Sequence, residues 1–141
     1  MKNIKLIFFT FILLGISISA HAEQYLCTCE HITGFSYDKV TRSWQVTIFN
    51  DEKKYVIAES KDMEGCYTLT KSGDSSPLCT AESGFSKYGD LFFDCLISEF
   101  RFSRETGRYL NVYPIGYWNS TKESDEISDT PYIEIGVCSP F

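Results

Sequence analysis

The stretch FRFSRETGRYLNVYPIGYW, Phe100 to Trp118, decides the reading of this chain. It holds six aromatic residues and three of the four arginines in the sequence. Phe100–Ser103 and Arg108–Tyr113 alternate apolar with polar residues, and Arg104-Glu105-Thr106-Gly107 stands between them. Period-two alternation marks a strand with one buried face, and turn residues between two such runs mark a hairpin. If Arg104–Gly107 is a type I turn closed by Gly107 in the left-handed region, the register follows. Arg104 then faces Arg108, Phe102 faces Leu110 and Phe100 faces Val112, so Phe100, Phe102, Leu110 and Val112 form the core face. Arg101 and Ser103 fall on the other side with Tyr109, Asn111 and Tyr113.

Outward from this hairpin the same pattern recurs. Tyr25–Cys29, Ser43–Phe49, Lys54–Glu59, Tyr67–Lys71, Leu91–Ser98, Glu99–Arg104 and Tyr132–Val137 are further strand predictions, separated by turn clusters such as KDMEG, KSGDSSP and NSTKESDEISDTP. No window sustains helical spacing over three turns. The expected fold is all-β: a single small antiparallel barrel or sandwich, stapled by disulfides.

The N-terminus bounds the folded part. Lys2 and Lys5 precede an apolar run from Leu6 to Ile18, and Ala20-His21-Ala22 has the small-x-small form of a cleavage site, so residues 1–22 read as a signal peptide. Residues 23–141 are then one β domain, exported to the periplasm or secreted. The apolar run is too short to span a bilayer, which takes about 20 residues, and no second run follows, so membrane insertion is not expected. The chain carries a net charge of −6. That excess argues against nucleic acid and anionic membranes, both of which need clustered cations, and permits a basic protein partner.

All six cysteines, Cys27, Cys29, Cys66, Cys79, Cys95 and Cys138, follow the cleavage site. An even number in an exported chain of this size reads as three disulfides, with 15 connectivities open. Cys66–Cys79 is the favoured pair, because KSGDSSP between them can turn the chain back on itself. No metal or cofactor motif accompanies them: Cys27-Thr28-Cys29 is the only close pair, and there is no His-Glu-x-x-His or phosphate-cradling glycine loop.

The candidate binding residues are Arg101, Tyr109 and Tyr113 on the outward hairpin face, with Tyr117 and Trp118 beyond it. Tyrosine, tryptophan and arginine are the residue types enriched at binding hot spots. The acidic segment Ser120–Asp129, with Asp125 and Glu126, could steer a cationic partner toward Trp118. It lacks the EF-hand order that would make it a calcium loop. No catalytic residue is assigned. The one histidine after the cleavage site, His31 beside Glu30, has no recognisable nucleophile, and both Gly-Phe-Ser segments miss the second glycine of a nucleophile elbow. The enzymatic alternative is a carboxylate-dependent hydrolase acting on glycan or cell wall through Asp90 and Asp94, four apart on one strand. A third reading is a structural envelope protein that self-associates through a strand edge.

Cys27, Gly34-Phe35, Trp44 and Tyr55, together with GYW and DTPYIEIGVCS, resemble a group of small exported bacterial proteins of unknown function. More loosely, Ser83-Gly84-Phe85-Ser86-Lys87-Tyr88 is similar to the Ser-Gly-x-x-Tyr signature of bacterial inhibitors of C-type lysozymes, with one residue more. Thr106-Gly107-Arg108-Tyr109 has one residue fewer and Thr for Ser. That resemblance implies an exported β-barrel that blocks the active site of a basic enzyme. The overall expectation is a non-catalytic binding protein for another macromolecule.

Overall fold

A computed structural model describes residues 23–50, 52–118 and 129–141. The signal-peptide reading of residues 1–22, and the candidates Asp125 and Glu126, lie outside the described residues. Among the described residues nine strands form one antiparallel sheet: β1 (Gln24–Asp38), β2 (Ser43–Phe49), β3 (Lys54–Glu59), β4 (Tyr67–Lys71), β5 (Cys79–Ala81), β6 (Asp90–Asp94), β7 (Glu99–Ser103), β8 (Arg108–Tyr113) and β9 (Tyr132–Pro140). The hydrogen-bonded order β5-β4-β3-β1-β9-β8-β7-β6 curls into a nearly closed barrel, with β5 brought back beside β6.

β1 organises this arrangement. Its first half, Gln24–Thr28, pairs with β3, and its second half, Ile32–Asp38, pairs with β2, while β9 runs along its other edge. A bulge between Cys29 and His31 separates the halves. An extra residue at a bulge bends a strand and strengthens its twist, so the two halves can serve different neighbours. Asp38 closes the β1–β2 turn by accepting the Val40 and Thr41 backbone N–H groups at 2.8 and 3.2 Å. Those two bonds hold its carboxyl below the usual carboxylate range.

The core is aromatic. Tyr25, Tyr55, Phe93, Phe100, Phe102 and Tyr109 are buried together with Ile57, Leu69, Leu91 and the Cys27–Cys138 disulfide. Phe100 stacks on Tyr109 with centroids 4.8 Å apart, and Tyr25 meets Phe102 at 4.7 Å. Burying each such ring is worth roughly 1.5–3 kcal/mol, so these few residues supply much of the apolar driving force.

The hairpin register differs from expectation by one residue. Gly107 is left-handed, at φ 67°, as the turn requires. The loop, however, holds four residues: Gly107 N–H donates to Ser103 O at 2.8 Å, and Ser103 faces Arg108. Phe102 therefore faces Tyr109, and Phe100 faces Asn111. A shift of one residue moves every side chain of β8 to the opposite face. Tyr109 and Asn111 enter the core, while Leu110 and Val112 turn outward.

The disulfides are Cys27–Cys138 and Cys79–Cys95, with Cys29 and Cys66 as thiols. Cys27 and Cys138 are direct register partners on β1 and β9, with Cα atoms 3.9 Å apart. The expected Cys66–Cys79 bond is excluded by the β4–β5 register. Cys79 faces Leu69, three residues along from Cys66. At about 3.3 Å per residue that offset is roughly 10 Å, beyond the ~7 Å Cα limit for a disulfide. The Cys66 thiol donates instead to Glu82 O at 3.3 Å. Cys79–Cys95 ties β5 to the end of β6, across the seam where the barrel closes.

Candidate functional site

The outer faces of β8, β9, β1 and β2 carry an apolar band set by register. Val112, Ile133, Thr33 and Ile48 are successive cross-strand partners in one row. The next row runs Phe92, Arg101, Leu110, Ile135, His31. On the other flank, Phe35 faces Val46. Ile48 is 80% and Val46 75% exposed, and Phe35, Phe92, Ile133 and Ile135 are exposed too. Contiguous exposed apolar surface is a feature that protein interaction sites share. Within it lies a depression of about 310 Å³, walled by Phe35, Val46, Val112, Pro114, Pro131 and Ile133.

Among the described residues β2 pairs only with β1, and its other edge, beside this band, has no strand partner. An edge strand offers a row of backbone donors and acceptors to any extended segment that approaches it. At its start Trp44 makes an edge contact with Tyr117, centroids 5.4 Å apart, and with Tyr37 at 5.7 Å. Tyr117 and Trp118 remain exposed, extending the band with large aromatic surface.

The expected binding residues are thus divided. Arg101 is exposed on the outer face, ion-paired with Glu99 at 2.8 Å and 5.6 Å from the Phe92 ring. Both members of that pair are solvated, so it contributes at most about 1 kcal/mol to stability. Tyr109 is not on that face: it is 3% exposed, because the four-residue loop turns it inward. Tyr113 is half-buried on the inward side of β8 and stacks on Tyr132 at 5.2 Å. The sequence missed the apolar band because its members come from four strands and gain continuity only through pairing. The runs Val46-Thr47-Ile48 and Ile133-Glu134-Ile135 were its only local trace.

Beneath the band, the core holds one carboxylate among the described residues. Glu134, with no solvent exposure, accepts hydrogen bonds from Tyr109 Oη (2.6 Å, at Oε1), Tyr55 Oη (3.0 Å) and Asn111 Nδ2 (3.3 Å), the last two at Oε2. Burial, the nearby Glu134 charge and these bonds raise the pKa values of both phenols above their ordinary value. The arrangement satisfies a buried charge with three donors, as burial requires. Asn111 Oδ1 is the exception, buried and without a partner.

Asp90 and Asp94 share the outward face of β6 on either side of exposed Phe92, as their spacing predicts. His31 is exposed at the β1 bulge, beside Glu30 in a groove that Glu52 also lines. No family model, curated protein or solved structure matches the chain.

Proposed function

We propose that the protein is an exported, non-catalytic binding protein that engages another protein through the apolar outer face of β8, β9, β1 and β2. The single observation that carries this reading is the row Val112–Ile133–Thr33–Ile48, which ends at the edge of β2 that no strand among the described residues pairs. An extended segment of the partner adds to that edge, its backbone completing the ladder and its alternate side chains packing on Val46 and Ile48. The net charge of −6 favours a partner of opposite sign and gives the association an electrostatic on-rate component. The two disulfides and the leader-like N-terminus support export into an oxidising compartment.

The test compares oxidised mature protein with a Val46→Lys/Ile48→Lys variant in capture from envelope and host-fluid extracts. Both substitutions fall on exposed positions, and circular dichroism confirms that the variant folds. A partner held by the first protein, lost by the second and released by rising salt is the expected result. Equal capture by both overturns the assignment of the outer face. Concentration-dependent sedimentation of the purified protein, abolished in the variant, would replace a foreign partner with a second copy of this chain.

A further inference from the structure

The open end of the barrel holds a second feature, which meets the outer-face depression at Tyr113 and Tyr132, residues that line both. A cavity of about 440 Å³ lies there, within the range of roughly 300–1,000 Å³ typical of small-ligand sites. Register explains its lining. Tyr55 faces Lys71 across β3 and β4, and Tyr113 faces Tyr132 across β8 and β9, so all four side chains belong to the inward-facing set at the rim. Lys53 precedes β3 and places its Nζ 4.3 Å over the Tyr132 ring. The opposite lip is apolar: Leu78, Leu96 and Ile97 line the cavity and are exposed, Leu96 to 99%.

That lip is built at a conformational cost. Leu96 has φ 63°, and Ile97 N–H donates to Cys95 O at 2.6 Å, a tight turn of a kind rarely adopted by a branched residue. The Cys79–Cys95 disulfide anchors it. The strained turn presents Leu96 to water at the mouth of a cavity. Backbone outliers of this sort cluster at ligand clamps. The floor supplies the second observation. Asn111 lines the cavity, is 4% exposed, and commits its Nδ2 to Glu134, which leaves Oδ1 as a buried acceptor with no donor. A buried acceptor of this kind calls for a partner.

We infer that the barrel mouth binds a small organic acid. Its apolar body lies between the Tyr113/Tyr132 stack and the Leu78, Leu96 and Ile97 lip. Its anionic group stands at the rim with Lys53 and Lys71, and a hydroxyl or amide N–H at its buried end donates to Asn111 Oδ1, which is closed off from solvent and is reached as the floor opens around the ligand. The aromatic pair favours a flat ring in the body.

The probe is 3-(4-hydroxyphenyl)propionate, compared with 3-phenylpropionate, which lacks the donor, and 3-(4-hydroxyphenyl)propanamide, which lacks the charge. Titrations follow the Asn111 side-chain amide and the Leu96 backbone amide by nuclear magnetic resonance, on wild type, Lys53→Gln/Lys71→Gln and Leu78→Trp. The hydroxy acid is expected to shift both signals saturably and to bind about five-fold more tightly than 3-phenylpropionate, the factor for one net hydrogen bond. Neutralising the lysines should weaken the acid several-fold and leave the propanamide unchanged, while Leu78→Trp should block all three. Absence of saturable shifts at Asn111 with every probe overturns the proposal. So does equal affinity of the two acids, or an acid affinity indifferent to the lysines.

Discussion

Tyr109 and Gly136 face each other across β8 and β9, and the tyrosine ring occupies the space that a side chain on the glycine would fill. A Cβ at Gly136 would stand 2.5 Å from Tyr109 Cε1 and closer still to the Thr28 carbonyl oxygen. The glycine is required for that space, because the neighbours are a buried ring and a backbone atom. Gly136→Ala is expected to displace the phenol from Glu134 and destabilise the fold by about 3 kcal/mol, combining overpacking with a lost hydrogen bond to a carboxylate. Urea unfolding measures the loss.

The hairpin register has its own test. With Tyr109 inward and Leu110 outward, Tyr109→Ala should lose about 3–5 kcal/mol, the range for emptying a large core site. Leu110→Ser should stay within about 1 kcal/mol. Unfolding midpoints in the reverse order would restore the three-residue loop.

Raised phenol pKa values fix the direction of an alkaline transition. Tyr55 and Tyr109 are held protonated in the folded state, chiefly by burial and then by Glu134. Below about pH 10 both states keep these protons and stability does not depend on them. Above that, the unfolded chain ionises first, so stability falls with rising pH by up to about 1.4 kcal/mol per unit for each phenol. Tyr109→Phe should make that decline shallower over pH 10–11.5, measured by urea midpoints at each pH. An unchanged slope would remove Tyr109 from the account.

Alkylation of the unreduced, denatured protein should modify two cysteines, Cys29 and Cys66, with the other four protected. The two disulfides should differ in weight. Cys27–Cys138 spans 111 residues and Cys79–Cys95 spans 16. In the loop-closure model those lengths correspond to about 4.7 and 3 kcal/mol. Cys27→Ala/Cys138→Ala is therefore expected to lower the unfolding midpoint more than Cys79→Ala/Cys95→Ala.

Much of the strand content was legible because it is local. Ser43–Phe49, Lys54–Glu59, Tyr67–Lys71 and Arg108–Tyr113 are rich in β-branched and aromatic residues, and the strands observed there have the same bounds. β5, at three residues, is too short for alternation to show. β1 runs to Asp38 past the expected Cys29, because the bulge at Cys29/His31 breaks the period while pairing with β9 continues. Register was the weak point. Arg104–Gly107 suits a three- or a four-residue loop, and that one residue decides whether Tyr109 is a surface aromatic or a core phenol. The cavity and the apolar band were not legible at all, since residues such as Lys53, Asn111 and Tyr132 share no local pattern and meet only when the barrel closes.

The Cys27–Cys138 bond has a mechanical consequence. It joins the start of β1 to the end of β9, so tension applied to the chain outside these cysteines passes directly from one strand to the other through sulfur. Every strand from β2 to β8 lies in the shunted segment and bears no load. A protein tethered at one end and pulled at the other would keep its barrel intact until the bond is reduced, and reduction would turn a force-silent domain into an extensible one.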